Sequence, residues 1–396
     1  MIGPGNRASS GSVARVGAGP STTRLRRAVG QLLTVGFDGP SLPAELGRRI
    51  AASEVGCVML FRPNIESPVQ VASVVTAVRA AASSGSVEAP CLVAIDQEGG
   101  LVQRLRAPLT VWPDMLSVGA AGDSTRSERV GQALGAELAA LGIGWDFAPV
   151  LDVHTNPANP VIGNRAFGRT PDAVTTHALA FWRGLRAAGL VGCGKHFPGH
   201  GDTRTDSHVD LPVVSQPLER LRRIELAPFA AAAAAGIEAI MTAHVVFPAL
   251  DPDRPATLSR RILTELLREE MRFAGVIVSD DLGMKAVADR YSIEDLAIEA
   301  VAAGADVLLI REPVDRQVRA FEALVRAGEG DDRLRARIEE SAARVAAMKA
   351  ACRVEAPAPS AMLPSLLGTP AHRALAGSFP RVDPASPVAT SAVADA

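Results

Sequence analysis

Short runs of continuous apolar residues recur along the chain, and longer amphipathic stretches separate them. The runs are QLLTVGF (31–37), GCVMLF (56–61), CLVAID (91–96), WDFAPVL (145–151), GLVGCGKH (189–196), EAIMTAH (238–244), GVIVSD (275–280) and DVLLIR (306–311). Continuity rather than alternation is the pattern of strands buried on both faces. The intervening stretches include SPVQVASVVTAVRAA (67–81), STRSERVGQALGAELAALG (124–142), PLERLRRIELAPFAAAAAAG (217–236) and SRRILTELLREEM (259–271). They space apolar residues for helices, several with Ser, Asp or Pro at the start and Gly at the stop. Eight strand candidates alternating with helices over roughly 330 residues predict an α/β protein, a single (β/α)8 TIM-type barrel with no second domain. No GxGxxG follows the first strand, which removes the main reason to prefer an open dinucleotide-binding sheet.

The pattern stops at both ends. Residues 1–23 are Gly/Ser-rich and read as a disordered leader, residues 24–353 as the barrel, and 354–396 as a Pro/Ala-rich tail that cannot bury enough to fold. Apolar content of 47% is ample for one large core. With 41 basic against 43 acidic residues the net charge is −2, so no global field draws nucleic acid or an anionic membrane, and a monomer reading its partner through a local site is expected. Four dispersed cysteines, three in apolar runs, suggest reduced thiols and a cytoplasmic setting. The N-terminus lacks the apolar segment of a secretion signal, and no 18-residue apolar run follows it.

Charged residues gather at the ends of the strand candidates: Arg62, Asp96, Asp152, Lys195 with His196, His244, Asp280 and Arg311. In a barrel all those ends open on one rim, where active sites sit. A charge buried there without purpose would be costly, which singles out Lys195 and His196.

The segment GKHFPGHGDTRTDSHVD (194–210) holds three of the seven histidines. His196 and His200 are four apart, but Pro198 and Gly199 argue against the helix that would make them a metal pair. Asp206 and His208 are two apart, so in an extended loop both side chains project to one side and the carboxylate fixes the imidazole. An isolated D-x-H is more commonly a loop-stabilising hydrogen bond, and a second catalytic group is needed to favour general acid/base work. Asp280 and Asp281 offer it: two-residue alternation sends one carboxylate to the barrel mouth, while capping of the next helix accounts for Asp281. The stretch 94–108 adds Asp96, a Gly99-Gly100 turn and Arg104; the polar loop 145–168 adds Arg165, a residue type more usually found in a surface salt bridge.

Together KHFPGHGDTRTDSH, DQEGGLVQR, FAPVLDVHTNPANPVIGNRAFG and VIVSDDLGM resemble glycoside hydrolase family 3, in its NagZ-type β-N-acetylhexosaminidase branch, over about residues 29–350. The resemblance implies Asp280 as the nucleophile that forms a covalent glycosyl-enzyme with retention, and His208, oriented by Asp206, as the acid/base in place of the usual second carboxylate. It implies Asp96, Arg104, Arg165, Lys195 and His196 as the grip on the terminal N-acetyl sugar, with no metal and no cofactor. The implied substrates are carbohydrates, terminal β-linked GlcNAc of peptidoglycan fragments. Leu101 stands where Arg usually follows EGG, His154 where Asp or Asn is common, and Asn164 where Asp often precedes Arg165. Three other readings stand beside it: a phosphorylase of the same family, a metal-dependent barrel hydrolase using His196, His200 and Asp202, and a catalytically dead sugar-binding protein.

Overall fold

The computed structural model describes residues 20–85, 90–204, 211–311 and 313–384. Each apolar run contains a strand: β1 Leu33–Val35, β2 Cys57–Leu60, β3 Leu92–Ile95, β4 Trp145–Asp146, β5 Cys193–Phe197, β6 Ala239–Thr242, β7 Val276–Val278 and β8 Leu308–Ile310. These pair in parallel as two sheets, ordered β8-β1-β2-β3-β4 and β7-β6-β5. Isolated parallel bridges extend the pairing at both seams, Trp145 to Val191 and Val150 to Lys195 on one side, Val278 to Val307 on the other.

Helices connect the strands, and their starts and stops follow from local chemistry. In Pro68–Ser83 the Ser67 side chain accepts the Gln70 N–H, proline opens the first turn, and Val71, Val74, Val75 and Val78 form the buried face. The stretch 217–236 is two helices, Leu218–Arg223 and Ala227–Ala235, rather than one. Pro228 has no N–H to bond back into a preceding turn but suits a helix start. Gly236 ends the second helix at φ 81°, where a β-carbon would be strained.

Strand alternation divides the core. Cys57, Met59, Leu92, Ala94, Cys193, Ala239, Met241, Val276, Val278 and Leu309 belong to one apolar cluster, closed below by Val345 and Met348. Their neighbours Val58, Leu60, Val93, Ile95, Ile240, Ile277, Leu308 and Ile310 pack into a second, larger cluster with the helices. Both strand faces are thus buried, which is why the runs read as continuous. The four cysteines are free, and Cys57, Cys91 and Cys193 are buried. No helix among the described residues is long and apolar enough to cross a membrane.

The chain ends depart from the expected boundaries. The first helix, Pro20–Gln31, already begins inside the stretch read as leader. Beyond residue 353 the chain stays ordered on the body through Pro384, with short helices Leu363–Leu366 and Pro370–Ala376. Leu363 and Leu367 join the main core, and the buried Glu137 carboxylate accepts Gly368 N at 2.9 Å and meets His372 Nδ1 at 2.8 Å. At the far end, Pro384 O accepts from Arg169 Nη2 at 2.7 Å and from His154 Nε2 at 3.2 Å. Composition averages over these few anchoring residues; a segment lying on a folded surface needs only some of its side chains to be buried.

Candidate active site

The inward positions of the strands lead directly into a pocket. Two residues beyond Met59 is Phe61, beyond Ala94 is Asp96, beyond Cys193 is Lys195, beyond Val278 is Asp280 and beyond Leu309 is Arg311. All five line one cavity of about 300 Å³, with Glu98, Arg104, Arg165, His196, His200 and Asp281. Lys195 and His196 are neighbours and should face opposite sides. The register of β5 shifts between Lys195, which opposes Met241, and Phe197, which opposes Thr242, leaving His196 as an extra residue in a bulge. Bulges re-aim side chains in this way.

A network of opposite charges lines the wall. Asp96 accepts from Lys195 Nζ at 2.8 Å and from Arg104 Nη2 at 3.1 Å. Lys195 Nζ also lies 2.6 Å from Glu98 Oε1. Arg165 grips Glu98 through two bonds of 2.8 Å, from Nε and Nη2. Its side chain is 13% exposed, so this is a buried bidentate pair and not the surface salt bridge its residue type suggests. Burial alone would push Glu98 and Asp96 upward; the cations outweigh it and hold both below the usual carboxylate range. Lys195 is likewise held above the ordinary ammonium range, because Asp96 and Glu98 overcome its burial.

Asp152, fully buried, organises the second wall. Its Oδ2 meets His196 Nδ1 at 2.7 Å, and its Oδ1 accepts the His200 backbone N–H at 2.6 Å. Burial raises the Asp152 carboxyl, but His196 and the His200 contacts together outweigh it, so it stays below the carboxylate range. Burial, then the neighbouring His196, pushes the His200 ring down to about 4, so at neutral pH it is an uncharged group.

Asp280 enters the cavity from β7, with Oδ1 accepting the Asp281 N–H at 2.8 Å. Asp281 also lines the cavity and does not cap the following helix. Its Oδ1 accepts from Gly283 N at 2.9 Å and Arg311 N at 3.2 Å, a turn that braces the end of β7 against β8. His244 Nε2, bonded to Asp281 O at 3.1 Å, supports the same corner.

Asp96, Arg104, Arg165, Lys195, His196 and Asp280 are therefore brought together. Asp206 and His208 lie outside the described residues. The set weighed for a metal does not converge: His196 Nδ1 faces Asp152, His200 Nδ1 meets Thr203 Oγ1 at 2.8 Å, and Asp202 accepts from Thr155 and Gln216. Among the described residues no three His, Cys, Asp or Glu side chains form a metal cluster. Glu98 was not singled out in sequence, since it lies past the strand in a small ribbon, Gln97–Gly99 with Val102–Gln103. The two-residue step from Asp96 was the available signal. Asp152 was visible as a strand-end charge, with nothing to indicate that it serves two histidines.

Residues 24–348 match the glycosyl hydrolase family 3 N-terminal domain. A β-hexosaminidase A of Pseudoalteromonas piscicida is 37% identical over 358 residues, 85% of this chain and 60% of that protein, so the chain spans less than two thirds of this relative. A family 3 β-N-acetylglucosaminidase from Paenibacillus sp. str. FPU-7 superposes with a TM-score of 0.84 at 41% identity, covering 89% of this chain and 67% of that one. NagZ from Neisseria gonorrhoeae, solved in complex with N-trifluoroacetyl-D-glucosamine, gives 0.71 at 31%, over 87% of this chain and 96% of that one. Matched along most of its length by the family domain and by hexosaminidases of known structure, the chain belongs to glycosyl hydrolase family 3.

Proposed function

We propose that the protein is a retaining exo-β-N-acetylglucosaminidase, built on a single closed (β/α)8 barrel, that removes terminal β-linked GlcNAc from peptidoglycan fragments. The parallel bridges at both seams between the two sheets support the closed ring. The observation that carries the activity is the position of Asp280: a carboxylate on the inward register of β7, in the same cavity as Asp96, Glu98, Arg165, Lys195 and His196. Hydroxyl groups need both donors and acceptors at fixed angles, and a wall of alternating cations and carboxylates supplies them.

In this reading Asp280 attacks the anomeric carbon while His208, steadied by Asp206, protonates the departing oxygen. The glycosyl-aspartate is then opened by a water that gives its proton to the same imidazole, so configuration is retained. The wall residues hold the terminal ring through its hydroxyls, in the ground state as in the transition state, so that its anomeric carbon faces Asp280. Relatives named as hexosaminidases support the sugar specificity.

Soaking the protein with a slow 5-fluoro GlcNAc donor and digesting it tests the assignment: the adduct is expected on the peptide containing Asp280. A label elsewhere, or product released with inverted configuration, overturns it. Running the turnover with and without phosphate, and assaying for the sugar 1-phosphate, separates hydrolysis from phosphorolysis.

A further inference from the structure

Two loops present Arg165 and His196 to the cavity, one from Asp152 to Gly168 carrying Arg165, the other from His196 to Arg204. Asn159, on the first loop, turns its side chain to the second and is 7% exposed. Its amide uses both faces. Oδ1 accepts Val161 N at 2.9 Å and Ile162 N at 2.7 Å, while Nδ2 donates to His200 O at 2.9 Å and Thr203 Oγ1 at 3.1 Å. Two donors on one side and a carbonyl with a hydroxyl on the other require a carboxamide in this orientation.

The groups at each end bear on the pocket. Ile162 O accepts Arg165 N at 2.8 Å, and Val161 O accepts Arg165 Nη1 at 3.2 Å, so the turn held by Oδ1 is the seat of Arg165. On the other side, the His200 amide donates to Asp152, which also meets His196. Arg165 Nη2 and His196 Nε2 come within 3.4 Å of each other, although they arise from separate loops. Asn159 joins those loops through one rigid group.

We propose that Asn159 is a positioning residue: it fixes Arg165 relative to His196 so that both meet one sugar ring in register. This rests on the reading that these two side chains grip the substrate. Asn159→Asp is the discriminating variant, because a carboxylate still accepts from Val161 and Ile162 but cannot donate to His200 O. Thr203→Val, which removes one acceptor of Nδ2 and with it the partner of His200 Nδ1, is the second variant should the first fail to fold, read beside Thr203→Ser, which keeps both bonds.

The test is steady-state kinetics of the full chain with 4-nitrophenyl β-N-acetylglucosaminide, beside Arg165→Gln as reference and with thermal melting of each variant. Asn159→Asp is expected to raise KM about tenfold and Thr203→Val about threefold, the range of one or two lost hydrogen bonds, with kcat nearly unchanged. A merely structural role would lower the active fraction, and hence Vmax and the melting temperature, at unchanged KM. If Arg165→Gln raises KM while both loop variants leave it unchanged, the inference is overturned. Should Arg165→Gln itself leave KM unchanged, the reading of the grip has failed instead.

Discussion

Lys195 and Glu98 meet at 2.6 Å with side chains only 2% and 1% exposed, each shut away from water with its counter-charge. Glu98 also holds Arg165, and Lys195 also holds Asp96, so neither can be removed alone without leaving a buried charge unbalanced. Glu98→Gln is expected to destabilise the fold by about 3–5 kcal/mol, the range for breaking one partner of a buried pair. Urea denaturation at neutral pH measures it; a loss comparable to that of an exposed pair would show that the network adjusts.

The same pair sets a pH dependence. Glu98 is depressed in the folded state, so its stabilisation is present above the unfolded value of about 4.3 and is lost as pH falls through the folded one. Lys195 is raised, so its stabilisation is present below about 10.4 and is lost as pH rises through its folded value. The stability difference between wild type and Glu98→Gln should therefore be greatest between these limits and shrink in acid. A difference that stays constant from pH 7 to pH 3 would contradict the assignment.

Asp146 behaves in the opposite sense. It is fully buried, Oδ1 accepts Gln97 N at 2.9 Å, and Oδ2 has no partner among the described residues. Burial raises it well above the ordinary carboxylate range, so the folded state binds a proton that the unfolded chain has released. Native stability then falls as pH rises above the unfolded value of about 3.9. Asp146→Asn keeps the acceptor for Gln97 and removes the ionisation; it should stabilise the protein more at pH 8 than at pH 5. Equal effects at both pH values would mean that this carboxyl is ionised in the fold.

How much of this was legible in sequence can be traced residue by residue. The strands were visible because both faces are buried, and the end at which the cavity opens followed from Asp96, Lys195 and Asp280 at their ends. Alternation alone would have separated Lys195 from His196; both reach the cavity where the register of β5 breaks, and such a break leaves no mark in composition. Glu98 owes its importance to Lys195 and Arg165, which come from other parts of the chain. The same holds for the tail, whose Leu363 and Leu367 look unremarkable among prolines and alanines until a surface meets them.

That tail should be separable from the chemistry but not from stability. Ending the chain after Arg353 removes two buried leucines, at roughly 1.5–3 kcal/mol each, and two partners of the buried Glu137 carboxylate. Even with partial compensation, the melting temperature should fall by about 5 °C or more. Calorimetry of the truncated and full chains decides it; identical transitions would mean that the segment lies on the body without holding it.

The strongest constraint on the mechanism comes from the leaving group. If His208 supplies the proton to the departing oxygen, its replacement by Ala should lower kcat/KM on a GlcNAc disaccharide by roughly 10²–10⁴, the usual contribution of a positioned acid. A 2,4-dinitrophenyl glycoside needs little protonation, so its kcat/KM should fall by under about tenfold. Its kcat should drop further, because opening of the glycosyl-aspartate still requires a base, and azide, which needs none, should restore it. Asp280→Ala should show no such selectivity: without a nucleophile both substrates lose roughly 10⁴-fold or more. Parallel losses on both substrates for His208→Ala would remove the imidazole from the proton transfer while leaving Asp280 in place.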